Sequence, residues 1–178
     1  MAISGKIQGE HLYLRALGPA EVTQRYLDWM RDPQVNRYLE SRFGTHTLES
    51  LRSFVTAMNE SPDNYLFGMF LEPQGEHIGN IKIGGISQQH RHADVGLIVG
   101  AKTAWGKGYG TEAIRLVTRH AFEELGLNKL YAGMYAENAG SARAFLKAGY
   151  REIGILKKHV LCNGRFVDSL MVEICRDD

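Results

Sequence analysis

Between residues 105 and 111 the chain reads Trp-Gly-Lys-Gly-Tyr-Gly-Thr. Three alternating glycines stand directly after a strand-like apolar run and directly before a helix-like one. Glycine adopts backbone conformations that a side chain forbids and lets the main chain approach a ligand closely. The free N–H groups at the start of the following helix point into such a turn, and the helix dipole favours an anion there. Lys107 adds a positive charge. The fold must therefore contain a strand feeding a helix across an anion site, and a phosphate or diphosphate is the ligand this arrangement predicts.

The flanking pattern is a mixed one. Residues 10–15 alternate apolar and polar and read as an opening strand. Gly18-Pro19 ends it and starts a helix expected to run to about Met30, with Val22, Tyr26 and Trp29 or Met30 at core spacing. Asp32-Pro33 breaks that helix. Thr47-Leu48-Glu49-Ser50 reads as the next helix start, followed by an apolar stripe of Leu51, Phe54, Val55 and Met58. Tyr65–Leu71, His77–Ile86 and Ala93–Gly100 are strand-like runs separated by turn residues, predicting an antiparallel meander. After the glycine turn a helix runs from about Gly110 to Leu125, its core face carrying Ile114, Val117, Ala121 and Leu125, and Gly126 stops it. A strand over Lys129–Tyr135, a short helix over Ala139–Lys147 capped by Gly149, and two strands over Tyr150–Leu161 and Arg165–Ile174 complete an α/β (α+β) order.

At 178 residues the chain is one domain by size, spanning 1–178. A hydrophobic content of 44%, a charged content of 23% and a net charge of +1 describe a soluble globular protein, with no bulk attraction to nucleic acid or to an anionic membrane. No apolar run reaches bilayer length, and Met1 to Gly9 lacks the apolar core of a secretory leader. A cytoplasmic location is the expectation. The two cysteines, Cys162 and Cys175, match no zinc spacing and are expected to be reduced.

Other phosphate-binding motifs fit the glycine turn less well. A Walker A loop fails twice, because Ala101 stands where its first glycine belongs and Gly108 follows the lysine. Gly108-Tyr109-Gly110-Thr111-Glu112-Ala113 does fit the dinucleotide pattern G-x-G-x-x-A, but a Rossmann unit places it after the first strand of a parallel sheet. Here it follows an antiparallel meander with too little chain left for such a sheet. The run Ala93–Gly100 with Trp105–Ala113 instead resembles the cofactor motif of the GNAT acetyltransferase superfamily. Downstream, Asn138-Ala139-Gly140-Ser141 and Phe145-Leu146-Lys147-Ala148-Gly149-Tyr150 resemble its second signature. Leu12-Tyr13-Leu14-Arg15 and the paired helices after it resemble the ribosomal-protein branch, so the likeness covers nearly the whole chain.

That resemblance implies a GNAT fold: a mixed sheet of about seven strands, antiparallel in its first half, with a splayed parallel pair in the middle and about four helices. It implies an N-acetyltransferase using acetyl-CoA as co-substrate, with direct attack by the amine and no metal. By the same resemblance, backbone groups of Ile98, Val99 and Gly100 would pair with the pantetheine arm as an added strand does. Trp105, Gly106, Lys107, Gly108, Tyr109, Gly110 and Thr111 would hold the diphosphate, and Asn138 would contact the pantetheine. Asp94 occupies a position where some members carry a catalytic base; the alternative is a structural carboxylate. The oxyanion donor would be a backbone N–H near Val99. Many members carry a tyrosine proton donor where this chain has Phe145, which cannot donate. Ser141 is the ribosomal-type substitute, or else a helix-start serine.

Asn163-Gly164 predicts a two-residue type I′ hairpin. A regular register from it pairs Cys162 with Arg165, sets His159 opposite Asp168 and Cys175 opposite Glu152, and so keeps the cysteines apart. A histidine oriented by Asp168 is an acceptor-binding candidate, with a structural ion pair as the alternative; His90, in the loop before Asp94, is a second candidate. The acceptor is a small-molecule or peptide amine. Ile78-Gly79-Asn80-Ile81-Lys82-Ile83 and the closing hairpin resemble members acting on amino sugars, often nucleotide-linked, with protein N-termini, polyamines and aminoglycosides also open. A homodimer is compatible with the family, though no residue specifies one. Two rivals remain: a non-catalytic acyl-CoA sensor of the same fold, and a dinucleotide-dependent oxidoreductase.

Overall fold

A computed structural model describes residues 5–177. Residues 1–4, part of the Met1–Gly9 stretch read above for a leader, lie outside the described residues. Among the described residues eight strands form one sheet: β1 (Ile7–Gln8), β2 (Leu12–Ala16), β3 (Tyr65–Leu71), β4 (Glu76–Ser87), β5 (His92–Val99), β6 (Lys129–Tyr135), β7 (Arg151–Cys162) and β8 (Arg165–Cys175). Their order is β1-β2-β3-β4-β5-β6-β8-β7, and every neighbouring pair is antiparallel except β5 and β6. The strand beyond the expected seven is the two-residue β1. Four α-helices accompany the sheet among the same described residues: α1 (Gln24–Arg31), α2 (Leu48–Glu60), α3 (Tyr109–Glu123) and α4 (Ala139–Lys147).

β3 reads as a continuous apolar run because both of its faces are covered, the condition under which a strand loses its alternation. Phe67 meets the His120 ring of α3 at 5.8 Å, while Gly68 lies under Leu17 on the other face. Here α3 buries Ala113, Ile114, Leu116, Val117 and Ala121, and Gly126, at φ 65, turns the chain out of it. The first helix is shorter than expected. Pro19–Glu21 makes one 3-10 turn, and α1 proper starts at Gln24. At α2, Thr47 Oγ1 accepts from the Ser50 N–H (3.0 Å) while the Thr47 N–H donates to Ser50 Oγ (2.9 Å). That reciprocal capping box fixes the start. Leu51 and Val55 of the expected stripe are buried, whereas Phe54 is 45% exposed.

The β7–β8 hairpin departs from the regular register. Cys162, Leu161 and Val160 face Arg165, Phe166 and Val167 as expected, but the next pair is Leu156 with Ser169. Lys157, Lys158 and His159 thus crowd against Asp168 in a bulge, with Lys158 at φ 50. The cause is the Asp168 carboxylate, which accepts from the Lys158 N–H (2.9 Å) and pairs with Lys157 Nζ (2.8 Å). A second shift, between Glu152 and Gly154, sets Glu152 against Val172, and Cys175 pairs across β6 with Lys129 instead. Neither cysteine forms a disulfide within the described residues.

Candidate active site

The site begins where β5 and β6 part. His92, Ala93 and Asp94 pair with Lys129, Leu130 and Tyr131, and there the pairing ends, though β5 continues to Val99 and β6 to Tyr135. The two strands open as a V. The Gly100 N–H donates to the Ile78 carbonyl of β4 (2.9 Å). Successive strand residues turn their main-chain groups to opposite edges, so Ile98 and Gly100 face β4 while Val99 faces the gap. Leu97, two residues back, faces the gap as well. Of the three backbone positions expected along a ligand, Val99 therefore has the open edge; its companion Leu97 was missed, because edge orientation depends on register and not on residue type.

The chain leaves that edge under close constraint. Gly100 lies against Trp29 of α1 so tightly that a Cβ would sit 2.0 Å from the indole. A 3-10 turn over Lys102–Ala104 follows, and Trp105 then donates its indole N–H back to the Val99 carbonyl (2.7 Å). Gly106 and Gly108 take φ of 74° and 87° with open space where a Cβ would be, so their requirement is conformational. Gly110 differs: a Cβ there would make ordinary contact with Leu97 and Val99. Gly108 is the N-cap of α3 and supplies no side-chain acceptor. The first-turn N–H groups of α3 are thereby left for an anion. Beside them an open hollow of about 630 Å³ is lined by Lys107, Gly108, Thr111, Arg115 and Lys147 among others. Glu112 lines the same hollow, its carboxylate accepting from the His11 N–H (2.9 Å) just before β2.

Asp94 sits at the apex of the V with one oxygen 3.2 Å from Lys82 Nζ of β4. Asp94 and Val99 are five residues apart on β5, roughly 17 Å along an extended strand. The Leu97 N–H stands between them on the same open edge. Asn138 caps α4, its Oδ1 accepting from the Ser141 N–H (3.2 Å). Ser141 is half-buried in the first turn of α4. Phe145 is buried edge-on against Tyr150 at 5.0 Å. Burial pushes the Tyr150 hydroxyl pKa well up, and its partner is Thr118 of α3 at 3.0 Å. The Tyr135 hydroxyl is also raised, first by burial and then by its hydrogen bond to Glu40.

Two expected acceptor residues are not brought to this place. His90 stands in the turn before β5, at the closed end of the V, its ring stacked on His92 at 6.0 Å. The opening is at the other end of the strand, so topology alone misplaced it. His159 is in the hairpin bulge, and Asp168 is engaged by Lys157 and Lys158. Those hydrogen bonds hold the Asp168 carboxyl below its usual range. The predicted His159–Asp168 pair does not form, because the register that required it is broken.

What the sequence did not reveal is the segment between α1 and α2. It crosses the open end of the V and is tied to both sides. Asp32 pairs with Lys102 (2.6 Å) beyond β5, and Gln34 accepts from the same ammonium (3.0 Å). On the β6 side Tyr38 lies 5.5 Å from the Tyr135 ring, Glu40 takes the Tyr135 hydroxyl, and Arg42 donates to the Leu161 carbonyl of the hairpin. Among the described residues no cluster of three or more His, Cys, Asp or Glu side chains is arranged to hold a metal, and no helix is long and apolar enough to cross a membrane.

A strand edge left open beside an uncapped, glycine-bounded helix start is the arrangement of an acyl-CoA transferase cleft, and comparison with known proteins agrees. The profile of the acetyltransferase (GNAT) domain matches residues 11–151. A Bacillus subtilis (strain 168) protein named Probable N-acetyltransferase YjcK is 34% identical over 137 residues, 75% of each chain. Two solved structures share the fold. RimJ of Mycobacterium smegmatis in complex with CoA-disulfide has a TM-score of 0.83 at 23% identity, covering 93% of this chain and 82% of that one. Spermidine N-acetyltransferase of Vibrio cholerae in complex with CoA and spermine has a TM-score of 0.84 at 22% identity, covering 95% and 98%. The chain belongs to the GNAT acetyltransferase family.

Proposed function

We propose that this protein transfers the acetyl group of acetyl-CoA to the primary amine of an amino sugar, free or nucleotide-linked, or of a protein N-terminus. The observation that carries the reading is the three-residue contact between β5 and β6, which leaves the edge of Leu97 and Val99 open directly upstream of the glycine turn. The N–H groups of Gly106 to Thr111 would hold the diphosphate, with Lys107 as countercharge. The edge of Val99 and the Asn138 amide would hold the pantetheine. Asp94, steadied by Lys82, would take the amine proton through water, and Ser141 would return one to the leaving thiolate.

The acceptor side supports a small polar amine over a polycation. Asp94, Glu40 and Glu137 stand on this side, and each already has a partner: Lys82, Tyr135 and Arg37. Tyr38 and Tyr135 offer aromatic faces suited to a sugar or peptide. The spermidine acetyltransferase structure holds spermine on this same fold, so fold alone does not choose the acceptor.

A thiol-release screen with acetyl-CoA against amino sugars, amino-terminal peptides and polyamines tests the reading. Turnover is expected with one of the first two classes. Tight acetyl-CoA binding without turnover on any class would replace it with the non-catalytic sensor. Asp94→Asn is expected to lower kcat by about 100-fold with acetyl-CoA affinity unchanged, and Ser141→Ala to lower kcat in the same sense. His159→Ala is expected to leave both constants unchanged.

A further inference from the structure

The Trp105 side chain joins the two halves of the cleft wall. Its indole N–H reaches the Val99 carbonyl at 2.7 Å, although the residue itself is 43% exposed. Burial therefore does not explain its place. Val99 is the last residue of β5 and turns its main-chain groups to the gap, while Trp105 is the residue that immediately precedes the glycine turn. The intervening chain is fixed at its start. Gly100 and Ala101 both donate to the Ile78 carbonyl (2.9 and 3.0 Å), and Trp29 leaves Gly100 no room to shift. At its far end, past the single 3-10 turn, the indole bond ties it back.

We infer that Trp105 is a positioning residue that sets the distance between the diphosphate turn and the acyl-binding strand edge. This rests on the cofactor placement proposed above. A ligand that spans both features binds by two grips joined through one molecule. The second grip adds to affinity only when its spacing from the first is already correct, since otherwise ordering the protein consumes the gain. With the Val99 carbonyl held by the indole, the Val99 N–H stays aimed into the gap and the glycine turn stays in register with it. The bond costs the ligand nothing to keep, because a carbonyl oxygen has a second lone pair.

The inference separates from a merely structural role by ligand length. Trp105→Phe keeps an aromatic ring and loses the N–H; Trp105→Ala loses both. Two ligands would be titrated by calorimetry against wild type and both variants: acetyl-CoA, and adenosine 3′-phosphate 5′-diphosphate, which carries the diphosphate but no pantetheine. Acetyl-CoA is expected to bind both variants about five- to tenfold more weakly than wild type, the effect of one lost hydrogen bond. The shorter ligand is expected to bind all three proteins within twofold. An equal loss for both ligands would show that Trp105 only shapes the turn, and a loss in Trp105→Ala alone would show that the ring acts by packing; either overturns the inference. If wild type binds the shorter ligand but not acetyl-CoA, both this inference and the proposed function fail. If acetyl-CoA binds wild type and Trp105→Phe equally, only the inference fails.

Discussion

The Asn138 amide has two ends, and one of them is in use. Its oxygen caps α4 through the Ser141 N–H, and its nitrogen is left to donate elsewhere. Sequence pattern identified the residue through the family's second signature but could not divide these tasks, since either alone explains an asparagine before a helix. Asn138→Asp separates them, because aspartate caps as well as asparagine and cannot donate. Tm is expected to hold, while acetyl-CoA affinity falls by about fivefold, the share of one hydrogen bond; titration and a melting curve check it. The reverse pattern, a lower Tm with affinity intact, would reduce Asn138 to a cap. The pair His159–Asp168 marks where reading residues failed. Its inference was sound for a regular hairpin, and Asn163-Gly164 does form the turn, with φ of 50° and 75°. What pattern did not supply was that Asp168 would recruit the backbone N–H of Lys158 and bulge the strand three residues before Leu161. A side chain's choice between a ring and a main-chain donor is settled by local geometry, which alternation of residue types does not encode.

At the level of elements, strands and helices were legible because their signals are local. Gly126 and Gly149 end α3 and α4 at φ of 65° and 104°, and the Thr47–Ser50 box starts α2 where the sequence places it. The glycine turn shows finer grain, for its three glycines are not equivalent. Gly108→Ala puts a side chain at φ 87 and is expected to cost about 1–2 kcal/mol and to weaken acetyl-CoA binding. Gly110→Ala meets only Leu97 and Val99 at ordinary contact distances, so its stability is expected to match wild type. Denaturant melts of the two variants would decide it, and equal losses would contradict the distinction. The crossing segment between α1 and α2 was not legible at all. Asp32, Glu40 and Arg42 look like solvated charges in sequence, and their partners Lys102, Tyr135 and Leu161 lie far along the chain.

For the whole molecule, two half-buried imidazoles give a pH signature. His77 and His120 both have pKa values lowered chiefly by burial, opposed by Asn80 for the first and Glu124 for the second. Each is neutral in the fold at a pH where the unfolded chain takes a proton. The unfolded state therefore binds more protons below about pH 6.5, and stability falls as pH falls through that range. Above it their effect vanishes. Asp168 and Glu173, whose pKa values are lowered by Lys157 and Lys129, lose their contribution only below about pH 4. A Tm that is flat from pH 8 to 7 and drops between 6.5 and 5 is expected, and His77→Gln with His120→Gln should flatten the drop. A profile unchanged in the double variant would assign the loss to other groups.

The short contact between β5 and β6 has a mechanical side. Five strands lie on one side of it and three on the other, joined across the sheet by three residue pairs. Elsewhere a sheet resists bending because each strand is laced to its neighbour over most of its length. Here the lacing is missing along half a strand, so the molecule has a compliant seam running through its stiffest layer. The segment between α1 and α2 acts as a tie across the loose end of that seam, anchored at Lys102 on one bank and at Tyr135 and Leu161 on the other. Anything that lies in the seam and bonds to the β5 edge becomes part of the sheet, and the protein is stiffer with it than without.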